Sequence, residues 1–160
     1  MGRRIYSAGI DTVSIGTAVQ DIWTLFNGAS NGSQLHWIQA TAASVTTAAQ
    51  IRLRLKRGTA TVTIGSGGSI PTKNFVDDGD AKASGATLHA NDTTQATTSG
   101  NFTGFLEYFQ WNVLLPFDYM PGPEDEDRPA DSVSEAFILD LPAVIVATSI
   151  SSFLRWREYP

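Results

Sequence analysis

The chain contains no cysteine. Disulfide frameworks, cysteine-ligated zinc and thiol nucleophiles are therefore excluded, and the fold holds without covalent staples. Charge is scarce as well. Asp, Glu, Lys and Arg make up 17% of the 160 residues, against ~25% in an ordinary soluble domain. The net charge is -5, which argues against a general nucleic-acid binder, whose affinity comes from Lys and Arg neutralising phosphates. No apolar run approaches the ~18 residues that a bilayer-spanning helix needs, so no membrane partner is expected. The opening "MGRRIYSAGIDTV" alternates apolar and polar residues and does not read as a signal peptide. Tyr6 stands where a myristoylation signal would need Ser or Thr. The two histidines, His36 and His89, lack the spacing of a zinc pair.

What fills the chain is Thr, Ser, Ala and Gly between short apolar stretches. The hydrophobic fraction is 42% and aromatics are 10%, a globular composition that suits one domain over residues 1–160. The periodicity is two nearly everywhere, and no segment carries an apolar stripe at helical spacing over three turns. One helical turn is expected at "PADSVSEAF". Asn27-Gly28 and Asn31-Gly32 are tight-turn signals of the hairpin kind. Stretches apolar on both sides, such as "LHWI" and "AVIVA", suggest burial between layers. Eight to ten short strands result. The fold predicted is an all-β, two-sheet antiparallel sandwich of jelly-roll type. From Ser66 to Gly104 the chain is poor in large apolar side chains. This reads as a long loop excursion with at most a short strand or two, around "ATLHAN". It is too apolar-poor to pack alone, so it is expected to be mobile or to lie on a neighbouring chain. A second loop, at 118–132, is acidic and rich in proline.

The stretch "QIRLRLKRGTATVTIG", Gln50 to Gly65, is the cleanest alternation in the chain. On a strand Ile51, Leu53 and Leu55 face the core. Arg52, Arg54 and Lys56 then face outward, about 7 Å apart. The row reads first as a solvated strand face and second as a protein interface. The acids offered as its partners are Asp77, Asp78, Asp80, Glu124, Asp125, Glu126 and Asp127, from this chain or another copy. With Lys73 added, these eleven residues are the predicted interface set. On this reading Leu53→Asp unfolds the domain, while Arg54→Glu leaves folding intact.

No catalytic signature emerges. No serine sits in G-x-S-x-G, and "GSGGS" (Gly65 to Ser69) is followed by no Lys-Ser/Thr, so it reads as a flexible turn. The four adjacent acids from Glu124 do not wrap one calcium ion, and the Asp77-Asp78-Gly79-Asp80 turn lacks a terminal glutamate. Glu107 and Glu135 are the only carboxylates worth naming as a hydrolytic pair. No metal, cofactor or enzymatic activity is expected. Trp23, Trp37, Trp111 and Trp156 could together offer a stacking platform for sugar rings, the feature of a carbohydrate-binding sandwich, although core packing is the ordinary destination of each.

From Leu35 to Gly104 the order is strand, basic alternating strand, Gly-Ser turn and Thr/Asn/Ala-rich excursion: "HWIQATAASVTTAAQIRLRLKRGTATVTIGSGGSIPTKN" and "GDAKASGATLHANDTTQATTSG". This resembles small virion structural proteins of tailed bacteriophages, in particular jelly-roll capsid decoration (cement) proteins. The resemblance is one of texture and assigns no residue a role. It implies a non-enzymatic homotrimer on the outer capsid surface that clamps the major capsid protein. A tail, neck or fibre-base module of the virion is the neighbouring reading.

Overall fold

A computed structural model describes residues 4–16, 18–27, 32–43, 45, 47–58, 61–76, 84–99, 102–122, 135–142 and 148–159, with backbone alone at 102–106. The described residues form twelve strands and no helix: β1 (Arg4–Ile15), β2 (Gln20–Phe26), β3 (Ser33–Ala43), β4 (Gln50–Gly58), β5 (Val62–Thr63), β6 (Asn74–Phe75), β7 (Thr87–Asp92), β8 (Thr97–Thr98), β9 (Phe102–Asn112), β10 (Phe117–Tyr119), β11 (Ala136–Leu141) and β12 (Thr148–Glu158). They make two five-stranded sheets, β10-β3-β12-β1-β6 and β7-β2-β11-β4-β9, and a two-stranded ribbon, β5-β8. Below, the two large sheets are sheet A and sheet B.

Four of these strands, β5 to β8, are inserted between β4 and β9. The other eight pair in a nested order. The first pairs with the last (β1 with β12), the second with the seventh (β2 with β11), the third with the sixth (β3 with β10) and the fourth with the fifth (β4 with β9), all antiparallel. The pairs β3–β12 and β4–β11 then complete each sheet. This is one long antiparallel hairpin rolled into two layers, the jelly roll that the alternation predicts.

The period of two decides which side chains enter the core. Along β12, Ile150, Ser152, Leu154, Trp156 and Glu158 are buried, while Ser149, Ser151, Phe153, Arg155 and Arg157 stay partly exposed on the other face. Along β4, Ile51, Leu53 and Leu55 are buried in the same core, as expected. The core also takes Trp23, Trp111 and Trp156, with Tyr6 stacked on Trp156 at 5.7 Å between ring centroids.

β11 is buried at every position from Ala136 to Leu141. Phe137, Leu139 and Leu141 face the main core. Ala136 and Ile138 point the other way and pack with Val62 of β5, Ala96 and the partly buried Phe26 in a second, smaller cluster. The β5–β8 ribbon is thus a third layer on the outside of sheet B. Full burial of the larger side chains there, Val62 and Ile138, contributes ~1.5–3 kcal/mol each.

Over its described length the inserted excursion packs on its own chain. β6 pairs with β1 at the edge of sheet A, and β7 pairs with β2 at the edge of sheet B. β7 coincides with the short strand expected at "ATLHAN". The excursion needs few large side chains because sheet B supplies them, and because Ala86, Ala90 and Ala96 are small enough to lie close. "GSGGS" is a tightly packed segment, not a flexible turn. Ser66 and Ser69 bridge to Thr94 and Ala90. Gly67 has φ 86°, and a Cβ on Gly68 would lie 2.2 Å from the Ala90 carbonyl oxygen. The Asn-Gly signals do not mark a hairpin either. They fall between β2 and β3, which belong to different sheets, so the chain crosses from one layer to the other there. The helical turn at "PADSVSEAF", the "AVIVA" run and the acidic part of the 118–132 loop fall wholly or mainly outside the described residues.

Candidate interaction surfaces

The basic row on β4 is only partly a solvated face. Arg52 is exposed. Arg54 grips Asp140 of β11 with both ends of its guanidinium, Nε donating to Oδ1 at 2.9 Å and a terminal nitrogen to Oδ2. Lys56 is only 5% exposed. Its Nζ lies 3.4 Å from Asp140 Oδ2 and 3.9 Å from Asp21 Oδ1. Asp140 and Asp21 are themselves fully buried. Buried charge is costly unless paired and hydrogen-bonded, and the insertion supplies the remaining bonds. Gln95 Nε2 donates to Asp21 Oδ1 at 3.3 Å and to Asp140 Oδ2 at 3.2 Å, and the Ala96 N–H donates to Asp21 Oδ2 at 2.6 Å. Burial pushes the Asp21 carboxyl up to about 6.

This cluster fastens the third layer to sheet B. Arg54 and Lys56, expected to point outward, are committed to it, because the insertion covers the face that would otherwise be wet. Their partners are Asp140 and Asp21, neither of which belongs to the predicted interface set. Asp140 was detectable as an acid set inside the apolar run "AFILDL". Arg57, next along β4, pairs with the buried Glu135 at 2.8 Å. Lys73 Nζ donates to the Ala86 carbonyl at 2.6 Å, tying the excursion to itself. Asp77, Asp78, Asp80, Glu124, Asp125, Glu126 and Asp127 lie outside the described residues.

Of the remaining candidates, His36 is half-buried on β3 and His89 Nδ1 lies 3.4 Å from Asp92 Oδ2. Glu135 is taken by Arg57, and Glu107 lies half-buried on β9, with β4 between them in the sheet. Among the described residues no three His, Asp or Glu side chains gather as a metal-ligand set. Nor is any described helix long and apolar enough to cross a membrane.

Among the described residues two surfaces stand open. The first is the side of the sandwich formed by β9 and β10. β9 and β10 are edge strands there, as β6 and β7 are on the opposite side, each paired to one neighbour. Tyr108 (60% exposed), Leu114 (47%), Leu115 (61%) and Met120 (63%) project from this side. Phe109 packs on Phe117 and Tyr119 at 5.1 and 4.9 Å between ring centroids, and Trp111 Nε1 donates to the Leu115 carbonyl at 2.7 Å. The exposed leucines are therefore carried on a braced corner.

The second open surface is the outer face of sheet A. Trp37 lies here, whereas the other three tryptophans are in the core. Its ring meets Phe153 edge-on at 5.5 Å, the Arg155 guanidinium sits 5.4 Å from its centroid, and its Nε1 donates to Asp118 Oδ1. A trough of about 150 Å³ runs beside this group, lined by Ile10, Gln39, Thr41, Ser151, Ser152 and Phe153. Two features of β1 shape it. Gly9, opposite Phe153 in the ladder, has no side chain to fill the space, and the register shifts between Ile10 and Val13, where Thr12 adopts φ 50°.

The geometry defines a three-layered jelly-roll sandwich whose open ground is one apolar edge and one aromatic, polar-lined face. No family model matches the chain, and no curated protein or solved structure matches it either.

Proposed function

We propose that this chain is a non-enzymatic structural protein of a tailed-phage virion, a capsid decoration protein that attaches through its β9–β10 side to the major capsid protein. One observation carries the reading: among the described residues the β9–β10 side carries a braced corner that holds Leu114, Leu115, Met120 and Tyr108 in solvent. Exposed apolar clusters of that kind mark surfaces that a partner covers. Low overall charge and the resemblance to cement proteins support the same reading, and -5 net charge argues against nucleic acid as the partner. A symmetric trimer on the outer capsid surface is the assembly proposed, on the resemblance.

Cryo-electron microscopy of the particle that carries this chain tests the proposal. Density on the icosahedral lattice, with the β9–β10 corner against the coat, is the expected result. Density confined to tail, neck or fibre base would replace decoration with that neighbouring role. Absence from the particle would overturn the reading. Light scattering coupled to size exclusion tests the trimer, and a strict 17.2 kDa monomer at every concentration would remove it.

A further inference from the structure

We infer that the trough on the outer face of sheet A is a binding site for a single neutral pyranose, stacked on Phe153 and hydrogen-bonded by Gln39 and Thr41. This rests on different residues from the virion reading and stands apart from it.

The lining carries the chemistry of a sugar subsite. A pyranose offers one flat side of C–H groups and a rim of hydroxyls that both donate and accept. Phe153 supplies an aromatic surface, braced by Trp37 and by Arg155, whose guanidinium lies 5.6 Å from its ring centroid. Gln39 brings an amide that donates and accepts at once, and Thr41 a hydroxyl that does the same. Among the described residues neither side chain has an intramolecular hydrogen-bond partner, so both are available. The lining holds no charged side chain, which fits a neutral ring. A volume of about 150 Å³ is well below the ~300 Å³ at which drug-sized pockets begin, so it suits one ring and not a chain of them.

The site is also held in place, the condition for weak ligands to bind at all. Ser152, on its floor, accepts from Trp23 Nε1 at 2.8 Å and donates to the Gln39 carbonyl at 2.7 Å, fixing β12 against β3 from below. At the rim Ser151 Oγ donates to Asp11 Oδ1 at 2.6 Å and accepts from the Thr12 N–H at 3.1 Å, which locks the β1 irregularity that opens the trough. A partly exposed tryptophan and phenylalanine side by side on a sheet's outer face are otherwise poorly placed, since both forgo some of the burial that aromatic side chains ordinarily gain.

The test is ligand-observed saturation-transfer NMR on the full chain with the methyl glycosides of glucose, galactose, mannose and N-acetylglucosamine, paired with amide shift mapping. The expected result is saturable binding of at least one of them, about millimolar for so few atoms, with shifts centred on Gln39, Thr41 and Phe153. Gln39→Ala combined with Thr41→Ala should weaken it about tenfold or more. Gly9→Val fills the trough from the opposite strand and should abolish it. A Cβ at Gly9 meets nothing nearer than the Ser152 carbonyl oxygen at 3.7 Å, and a circular-dichroism melt checks that the variant is folded. No saturable binding of any of the four sugars, or equal binding by the folded variants, would overturn the inference.

Discussion

Trp23 Nε1 donates to Ser152 Oγ at 2.8 Å through the apolar core, joining β2 of sheet B to β12 of sheet A by a side-chain bond. The serine hydroxyl donates its own proton to the Gln39 carbonyl at 2.7 Å. The Trp23 end of this relay is shielded from water, so Ser152→Ala strands a buried indole N–H. The expected cost is ~1–3 kcal/mol, read from urea unfolding followed by tryptophan emission. An unchanged midpoint would show that the hydroxyl carries no share of the attachment between the sheets.

The β4 row divides into one solvated and two internal cations, and charge reversal separates them. Arg52→Glu alters an exposed side chain and should change stability by less than ~0.5 kcal/mol. Arg54→Glu places a third carboxylate beside Asp140 and Asp21 and removes a bidentate partner, at ~3–5 kcal/mol. This reverses the expectation from alternation alone that the Arg54 change is harmless. Thermal melts of the two variants side by side, with Leu53→Asp as the unfolded reference, check the ranking.

Asp21 gives the molecule a pH dependence of uncommon sign. Its carboxyl titrates at about 6 in the fold against 3.8 when free, chiefly through burial. The folded state therefore binds this proton more tightly than the unfolded state does. The associated stability is fully present below about pH 4 and is lost as the pH rises through about 6. Each tenfold difference in proton affinity is worth ~1.4 kcal/mol, so the loss is ~3 kcal/mol across that window. Asp92, also raised by burial, acts in the same direction. Asp21→Asn keeps an oxygen to accept the Ala96 N–H and removes the titration. Denaturant unfolding at several pH values should show the Asn variant gaining on the wild type from about pH 4 to pH 7. A constant difference between the two would contradict the assignment to Asp21.

Gly68→Ala should detach the excursion from sheet B without dissolving the sandwich. The added methyl would meet the Ala90 carbonyl oxygen of the β7 backbone at 2.2 Å and the side-chain Oδ1 of Asp92 at 2.6 Å. The Gly68 N–H bond to Asp92 Oδ1 would go with it. Hydrogen exchange is the measurement. Faster exchange is expected at Ser66, Ser69 and Ala90, with β12 amides little changed. Uniform acceleration across both sheets would mean that excursion and sandwich open as one unit.

The sandwich was legible because period-two alternation on β4 and β12 states which side chains share a face. The jelly-roll order followed from strand number and the absence of helical stripes. The third layer was not legible, for a specific reason. Its adhesion to sheet B comes from the backbone bridge of Ser69 to Ala90 of β7, from small side chains such as Ala96, and from the Asp21–Gln95–Asp140 bonds. None of these alters hydropathy along the chain. The same blindness assigned Lys56 to solvent, since alternation identifies an outer face but not whether another segment lies over it. The site on sheet A was missed because it needs Gly9, Gln39 and Phe153 side by side. That juxtaposition belongs to the pairing of β1, β12 and β3, strands more than a hundred residues apart in sequence at the extremes.

Arg4 stands opposite Glu158 in the β1–β12 ladder. Whatever polypeptide precedes the one and follows the other leaves from a common point. A short linker could therefore splice β12 into β1 and make the backbone circular, letting new ends be cut at another connection while every rung of the ladder is retained. Two passengers fused fore and aft would emerge as neighbours, within reach of one another.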